Sequence, residues 1–214
     1  MNIFKKRFKM NITILIVTYN SSHIIEKCLK NIYGKYNIII VDNNSSDNVV
    51  AKIKNNFPEI QIISSNKNLG YGRGNNLGLS MIKTKYTLIL NPDVIINNES
   101  IKKLLEISEK HPNAAMVAPY NKNPEHESSE IYNTILKKVT HDLFSVDWLV
   151  GCALLCNMDI LKKTGFFDEN IFMFGEENDL CNRICKSGYI LLQSTDINII
   201  HHAAKSSKPS LKIT

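Results

Sequence analysis

Several short clusters in this chain carry side chains with chemistry to offer, and each also has a plainer use. Asp42 opens the run DNNSSD directly after an apolar stretch. A carboxylate at a strand end can accept hydrogen bonds from a nucleotide base or a ribose hydroxyl, but Asp, Asn and Ser are also the residues of ordinary turns. Residues 68–78, NLGYGRGNNLG, set glycines at 70, 72, 74 and 78 around Arg73. Such a loop lets backbone approach a nucleotide beside one fixed positive charge, or simply turns tightly into a helix. Asn91-Pro92-Asp93 follows another apolar stretch, so a rigid turn presents one carboxylate of the kind a hard divalent cation takes; a strand-ending Asn-Pro turn looks the same. Glu176, Glu177 and Asp179 crowd together after an aromatic run. One of them can act as a general base, or all can complement a helix N-terminus. His201-His202 closes an apolar segment and offers imidazole to a metal, although paired histidines are more often structural or exposed.

The elements that must position these groups alternate through the first half. Apolar runs at 12–17, 38–41, 60–64 and 87–90 read as buried strands, the first beginning near Asn11. Three- and four-residue spacings at 24–32, 49–57, 74–82 and 100–109 read as helices, with Ser21 and Ser22 as caps for the first. Strands separated by helices of this length imply parallel pairing and a Rossmann-like sheet, which binds ligands beyond the carboxyl ends of its strands. TYN, DNN and NPD fall at those ends. The second half is less regular: a polar, mobile loop at 122–138, a strand-like stretch at 146–156 and a phenylalanine-rich turn at 165–173. A helix then runs from Glu176 to 186, followed by short strands at 189–192 and 197–200 and a loose basic tail.

Composition narrows the classes. A hydrophobic fraction of 43% against 21% charged residues excludes wholesale disorder and fibrous repeats. The net charge of +6 favours anionic partners. Nucleic acid is not expected among them, because basic and aromatic residues interleave only at 4–9. The five cysteines include two C-x-x-x-C pairs that could hold zinc, but one pair lies in apolar GCALLC and the other is one helical turn apart. Packed thiols are the simpler use. No apolar run near the start approaches the roughly 20 residues of a membrane span, and none has the form of a signal peptide, so a cytoplasmic protein is expected. The basic segment at 4–9 can touch an anionic inner membrane leaflet or fray in water.

In order, ILIVTYN, IIIVDNNSSD, NLGYGRGNNLG, LILNPDV, GCALL, GFFDENIFMFGEENDLCNRICKSGY and HHAAKSS resemble glycosyltransferase family 2, the inverting nucleotide-sugar enzymes of GT-A fold. The NPD and GFFDE…EENDLCNR forms are most similar to bacterial rhamnosyltransferases and other enzymes that extend surface polysaccharides. The resemblance implies an α/β GT-A fold, with a mostly parallel sheet flanked by helices and a smaller mixed acceptor side. It implies one domain over 11–207, divided into a nucleotide-binding half (11–118) and an acceptor and catalytic half (119–207), between a basic arm (1–10) and a tail (208–214). Thr18, Asn20 and Asp42 would hold base and ribose, while Gly70, Arg73 and Asn76 would meet the nucleotide from the glycine-rich loop. Asn91 and Asp93 occupy the D-x-D-like position, Asp93 binding Mg²⁺ or Mn²⁺ with His202 or His201 nearby. Glu177 would be the catalytic base, with Glu176 and Asp179 as alternatives. The implied partners are a UDP- or dTDP-linked sugar donor and a glycan or lipid-linked acceptor.

Two positions depart from the family pattern: Asn91 is neutral, and Glu177 stands where Asp is usual. A sugar-phosphate nucleotidyltransferase would carry its glycine- and lysine-rich loop after the first strand, where TYNSSH stands. A non-catalytic nucleotide- or glycan-binding module would leave the acids without work.

Overall fold

The computed structural model describes residues 11–120 and 135–202. The basic arm, residues 121–134 and everything after His202, including the end of HHAAKSS, lie outside the described residues. The chain begins β1 (Ile12–Thr18), α1 (Ile25–Lys30), β2 (Asn37–Asp42), α2 (Val49–Asn56), β3 (Gln61–Ser64), α3 (Tyr71–Leu79) and β4 (Tyr86–Leu90). It continues β5 (Val94–Ile95), α4 (Asn98–Lys110), β6 (Ala114–Pro119), β7 (Ile135–Lys138), β8 (Leu143–Val146) and β9 (Ala153–Asn157). The last elements are α5 (Met158–Thr164), α6 (Glu176–Lys186), β10 (Ile190–Ser194) and β11 (Ile200–His201).

A nine-stranded sheet runs β3-β2-β1-β4-β9-β6-β10-β8-β7, and β11 pairs separately with β5. The first four strands are mutually parallel, as expected for short strands joined by helices. β9 then enters antiparallel to both β4 and β6, and β8 runs against β10 and β7. Because β9 is reversed, its first residues, not its last, lie beside the exit of β4: Leu90 pairs with Ala153. Both faces of the sheet are covered. Ile14, Ile16, Ile40 and Leu88 face α1, α2 and α4, while Leu15, Val41, Ile89 and Leu154 face α3, α5 and α6. Each such aliphatic side chain contributes about 1.5–3 kcal/mol by leaving water.

Several details of the sequence-based expectation change, among them the strand expected at 197–200, which is only Ile200–His201. Residues 135–138 are not loop but strand β7, all exposed, at the sheet edge beside β8. The stretch 146–156 is two strands parted by a turn through Gly151, not one. β6 and α5 were not expected: β6 is Ala-Ala-Met-Val-Ala-Pro, with little β-branched signal, and α5 is only one short helix. α1 starts at Ile25 with no side-chain cap, Ser21 instead offering its carbonyl to the amides of Ile24 and Ile25.

α3 begins three residues earlier than its apolar spacing suggested and contains several of the glycines. They are there for closeness to the sheet. A Cβ at Gly78 would stand 2.2 Å from Leu15 Cδ1, and one at Gly74 would stand 2.9 Å from Val17 Cγ1. The helix therefore lies directly on β1, and this brings the glycine-rich loop to the carboxyl ends of the strands.

Candidate active site

The polar residues at the ends of β1 and β2 are wired to one another. Thr18 Oγ1 donates to Asp42 Oδ1 at 3.3 Å, and the Ser45 amide donates to Asp42 Oδ2 at 3.3 Å; Thr18 and Asp42 are buried. Asn20, at a left-handed φ of 52°, accepts from the amides of Ser46 (2.8 Å) and Asp47 (3.3 Å). Its carbonyl oxygen is thus spent on bracing the loop after β2. Asn43, which the sequence reading passed over, ties the same strand end to the glycine-rich loop. Its amide donates to Asn68 Oδ1 (2.9 Å) and the Gly70 carbonyl (3.0 Å), and its oxygen accepts from the Leu69 amide (2.9 Å).

Arg73 and Asn76 reach the 165–173 segment. Asn76 donates to the Phe167 carbonyl at 2.9 Å and accepts from the Phe167 amide at 3.1 Å, while Arg73 Nε donates to the Glu169 carbonyl. Both fasten α3 to the 165–173 segment. Gly70 has a φ of 81°, and a Cβ there would fall 2.0 Å from the Phe172 carbonyl oxygen. Only glycine lets the two loops meet. Between them lies a hollow of about 130 Å³, lined by Tyr19, Asn43, Gly70, Tyr71, Asn91 and Met173 among others. A larger hollow of about 680 Å³, around Asn11, Tyr33, Asn37 and Lys83, opens at the amino ends of β1 and β2, away from these residues. In an open α/β sheet the carboxyl ends carry the chemistry, so the smaller hollow is the relevant one.

Asp93 follows β4 and is 1% exposed. The two short strands place a histidine against it: His201 pairs with Val94, and the His202 amide donates to the Asp93 carbonyl at 3.1 Å. His201 Nε2 lies 3.5 Å from Asp93 Oδ1, an oxygen otherwise without a hydrogen-bond partner. It is therefore the imidazole of His201 that meets the carboxylate, while His202 contributes its backbone amide. Cys152 lies beside the same ring. Burial would lower the pKa of His201, but the hydrogen bonds to Asp93 and Cys152 and their charge outweigh this and push it up to about 10.

Once its proton is displaced, the His201 ring together with Asp93 suits a divalent cation. Neighbouring ligands of an octahedral ion at about 2.1 Å stand roughly 3 Å apart, close to the 3.5 Å seen here. Among the described residues no group of three or more His, Cys, Asp or Glu side chains could hold a metal ion. The protein would therefore offer two ligands, leaving the rest to phosphate oxygens and water.

On the other side stands Glu177, in the first turn of α6 behind the left-handed Gly175. Its carboxylate packs on Gly151, where a Cβ would stand 2.2 Å from Glu177 Oε1. Burial raises its pKa; its own backbone amide opposes this, and the charge of Glu176 adds to it. Glu176 is 3% exposed, and its Oε2 has no hydrogen-bond partner. Asp179 is bound elsewhere: Arg183 bridges it at 2.8 Å and donates to the Thr164 (2.9 Å) and Phe166 (2.6 Å) carbonyls. It braces α6. Tyr71 links the two sides, since it lines the small hollow and its hydroxyl donates to the Gly151 carbonyl at 2.6 Å. Burial and the charge of Glu177 hold its phenol well above the usual range. The hub is Gly151-Cys152 at the entrance of β9. Gly151 seats Glu177, the Cys152 carbonyl accepts from the Asn91 amide (2.9 Å), and the Cys152 side chain meets His201. The sequence offered Tyr71 as the one aromatic of the glycine-rich loop and Gly151 as the start of GCALL, but spacing alone assigned neither a task.

A sheet of this order, with its polar ends on one side, is that of the GT-A glycosyltransferases. The Pyrobaculum calidifontis mannosyltransferase PcManGT, solved with GDP-Man and Mn²⁺, superposes with a TM-score of 0.72 at 15% identity over 91% of this chain and 57% of its own. The S. aureus TarS 1–349 structure with UDP-GlcNAc gives 0.67 at 17% identity over 87% of this chain and 56% of its own. The chain thus spans a little over half of these solved chains. The family model for glycosyl transferase family 2 matches residues 13–142, so the chain belongs to that family and is a glycosyltransferase. Among similar proteins, the low-salt glycan biosynthesis hexosyltransferase Agl10 of Haloferax volcanii is 28% identical over 90% of this chain and 67% of its own length. The N-acetylglucosaminyl-diphospho-decaprenol L-rhamnosyltransferase of Mycobacterium tuberculosis is 22% identical over 91% and 76%. The rhamnosyltransferase WbbL of Escherichia coli is 25% identical over 89% and 83%. No helix among the described residues is long and apolar enough to cross a membrane.

Proposed function

We propose that this glycosyltransferase moves a hexosyl or deoxyhexosyl unit from a UDP- or dTDP-linked donor to a hydroxyl of a glycan or lipid-linked acceptor, with inversion, in surface-polysaccharide synthesis. The observation that carries it is the hub at Gly151-Cys152, which has the raised-pKa carboxylate of Glu177 on one side and the Asp93–His201 pair on the other. The rhamnosyl- and hexosyltransferase relatives support the sugar class and the pathway.

Asp42 and Thr18, the last residues of β2 and β1, are the groups to receive the nucleoside, and the Asn91-Pro92 turn would meet the diphosphate. Glu177 accepts the acceptor hydroxyl's proton as that oxygen attacks the anomeric carbon. The bond to the diphosphate breaks with its electron pair leaving on phosphate, and a single displacement inverts the centre. Asp93 and His201 would hold Mg²⁺ or Mn²⁺, which supplies positive charge for the departing diphosphate.

A panel of nucleotide sugars, scored by thermal stabilisation and by transfer to lipid-linked and free glycan acceptors, tests this, with NMR of the product's anomeric configuration. Glu177→Gln and Asp93→Ala should each lower transfer by at least roughly a hundredfold. Normal turnover in either removes that residue from the mechanism, and a retained configuration removes the single displacement. Association of the full chain with anionic vesicles tests the peripheral membrane contact suggested by the basic segment.

A further inference from the structure

Phe172, Met173 and Phe174 are a run of large apolar side chains in water, 52%, 48% and 87% exposed. Phe174 also holds a left-handed φ of 67°, where the other non-glycine residues among those described are asparagines, Asn20 and Asn44. A bulky side chain is rare in that region and costs conformational energy, so glycine or asparagine would serve the backbone better. Such an outlier points to function. The run is held from behind: the Phe172 carbonyl closes on Gly70, and Arg73 and Asn76 donate to the Glu169 and Phe167 carbonyls. On one side Met173 lines the small hollow with Asn91 and Pro92. On the other, Phe174 stands three residues before Glu177, so their Cα atoms lie within about 11 Å of each other.

What fits this surface follows from its neighbours. Residues 164–182 include five carboxylates and no Lys or Arg, a charge that turns away anionic lipid head groups. Sugar rings offer the complement. Their hydroxyls donate to carboxylates, and their C–H groups rest on the electron-rich face of an aromatic ring. An acceptor hydroxyl that gives its proton to Glu177 must come within about 2.6–3.2 Å of that carboxylate, which brings its sugar into the reach of Phe174. Resting on the reading of Glu177 as the base, we propose that Phe174, flanked by Phe172 and Met173, is the platform on which the acceptor's sugar ring stacks. The enzyme then recognises its acceptor through a glycan face, whatever that glycan is attached to.

The test uses the intact chain saturated with Mn²⁺ and UDP or dTDP, probed with methyl and n-octyl glycosides of glucose, galactose, N-acetylglucosamine and rhamnose. Saturation-transfer NMR from the aromatic protons should reach ring C–H groups of at least one methyl glycoside, and Phe174→Ala should diminish that transfer. In glycosyl transfer to the same glycoside, Phe174→Ala should raise the acceptor KM by roughly 3–10-fold, the range of an aromatic contact, with the donor KM within about twofold. Phe174→Trp, which keeps a ring, should return the acceptor KM to within about twofold of wild type. Phe174→Asn, suited to the left-handed backbone, should melt no lower than wild type while binding the glycoside as poorly as Phe174→Ala. A lower melting temperature in Phe174→Asn makes the ring a structural one and overturns the proposal. Wild-type glycoside binding and acceptor KM in Phe174→Ala overturn the platform and leave Glu177 as it stands. Binding of the octyl glycosides alone overturns it in favour of a lipid contact, and a wild type that binds none of these glycosides overturns it as well. Normal transfer by Glu177→Gln overturns the reading on which the platform rests.

Discussion

Glu177 and Glu176 are adjacent in sequence but differently placed, and the difference is testable through pH. The pKa of Glu177 is raised by burial and by its neighbour's charge. A base works only when deprotonated, so the acid limb of the rate profile should lie above the ordinary carboxylate range. Glu176→Gln removes one raising influence and should move that limb to lower pH, as pH profiles of kcat for both proteins would reveal; an unmoved limb would mean that another group titrates. Gly151→Ala puts a methyl where the Glu177 carboxylate rests. The end of a glutamate can swing aside, so the fold should persist with a melting temperature within a few degrees while transfer falls by at least roughly tenfold. Asp179→Ala should do the reverse: turnover stays, and denaturant unfolding shows a loss of about 0.5–1 kcal/mol, the usual worth of a partly exposed pair. The acids, Asp93 and the histidines were legible in the sequence because carboxylates and imidazoles advertise chemistry. Asn43, Tyr71 and Gly151 were not, since their roles arise from contacts with residues far along the chain.

At the scale of elements, the glycine-rich helix α3 is where local propensity and tertiary need conflict. Glycines weaken an isolated helix by up to about 1 kcal/mol each, and this one persists because it lies against β1. Gly78→Ala should improve intrinsic propensity yet lower stability by about 1–3 kcal/mol in denaturant titrations, since its methyl would press on Leu15. The early strands were readable from β-branched runs buried on both faces. β6 escaped because alanine and methionine carry little strand signal. The 146–156 stretch looks like one strand because its apolar residues outweigh the single glycine that marks the turn, Gly151, whose reason is the carboxylate of Glu177. Arg73 and Asn76 have a task the sequence does not show, fastening α3 to the 165–173 segment.

Over the whole molecule, the parallel half carries Thr18, Asp42 and Asp93, while Glu177 and His201 arrive from the later half. On the proposed assignment, with Asp93 and His201 as the ligands among the described residues, the cation should bind weakly alone and much more tightly with the nucleoside diphosphate that completes its shell. Calorimetry of Mn²⁺ with and without UDP should show at least a tenfold coupling, and equal affinities would place the ion elsewhere. The alternation of strand and helix predicted the parallel half. It could not predict that β9 would be inserted upside down between β4 and β6, because strand direction in the middle of a sheet depends on what the rest of the chain must cover. That inversion has a consequence for how such an enzyme diversifies. The connection leading into β9 carries the fully buried Leu149, with Trp148 packed on the same core, and ends at Gly151, on which the Glu177 carboxylate rests, so among residues 147–150 it is the exposed Val150 that can change character at least cost to both.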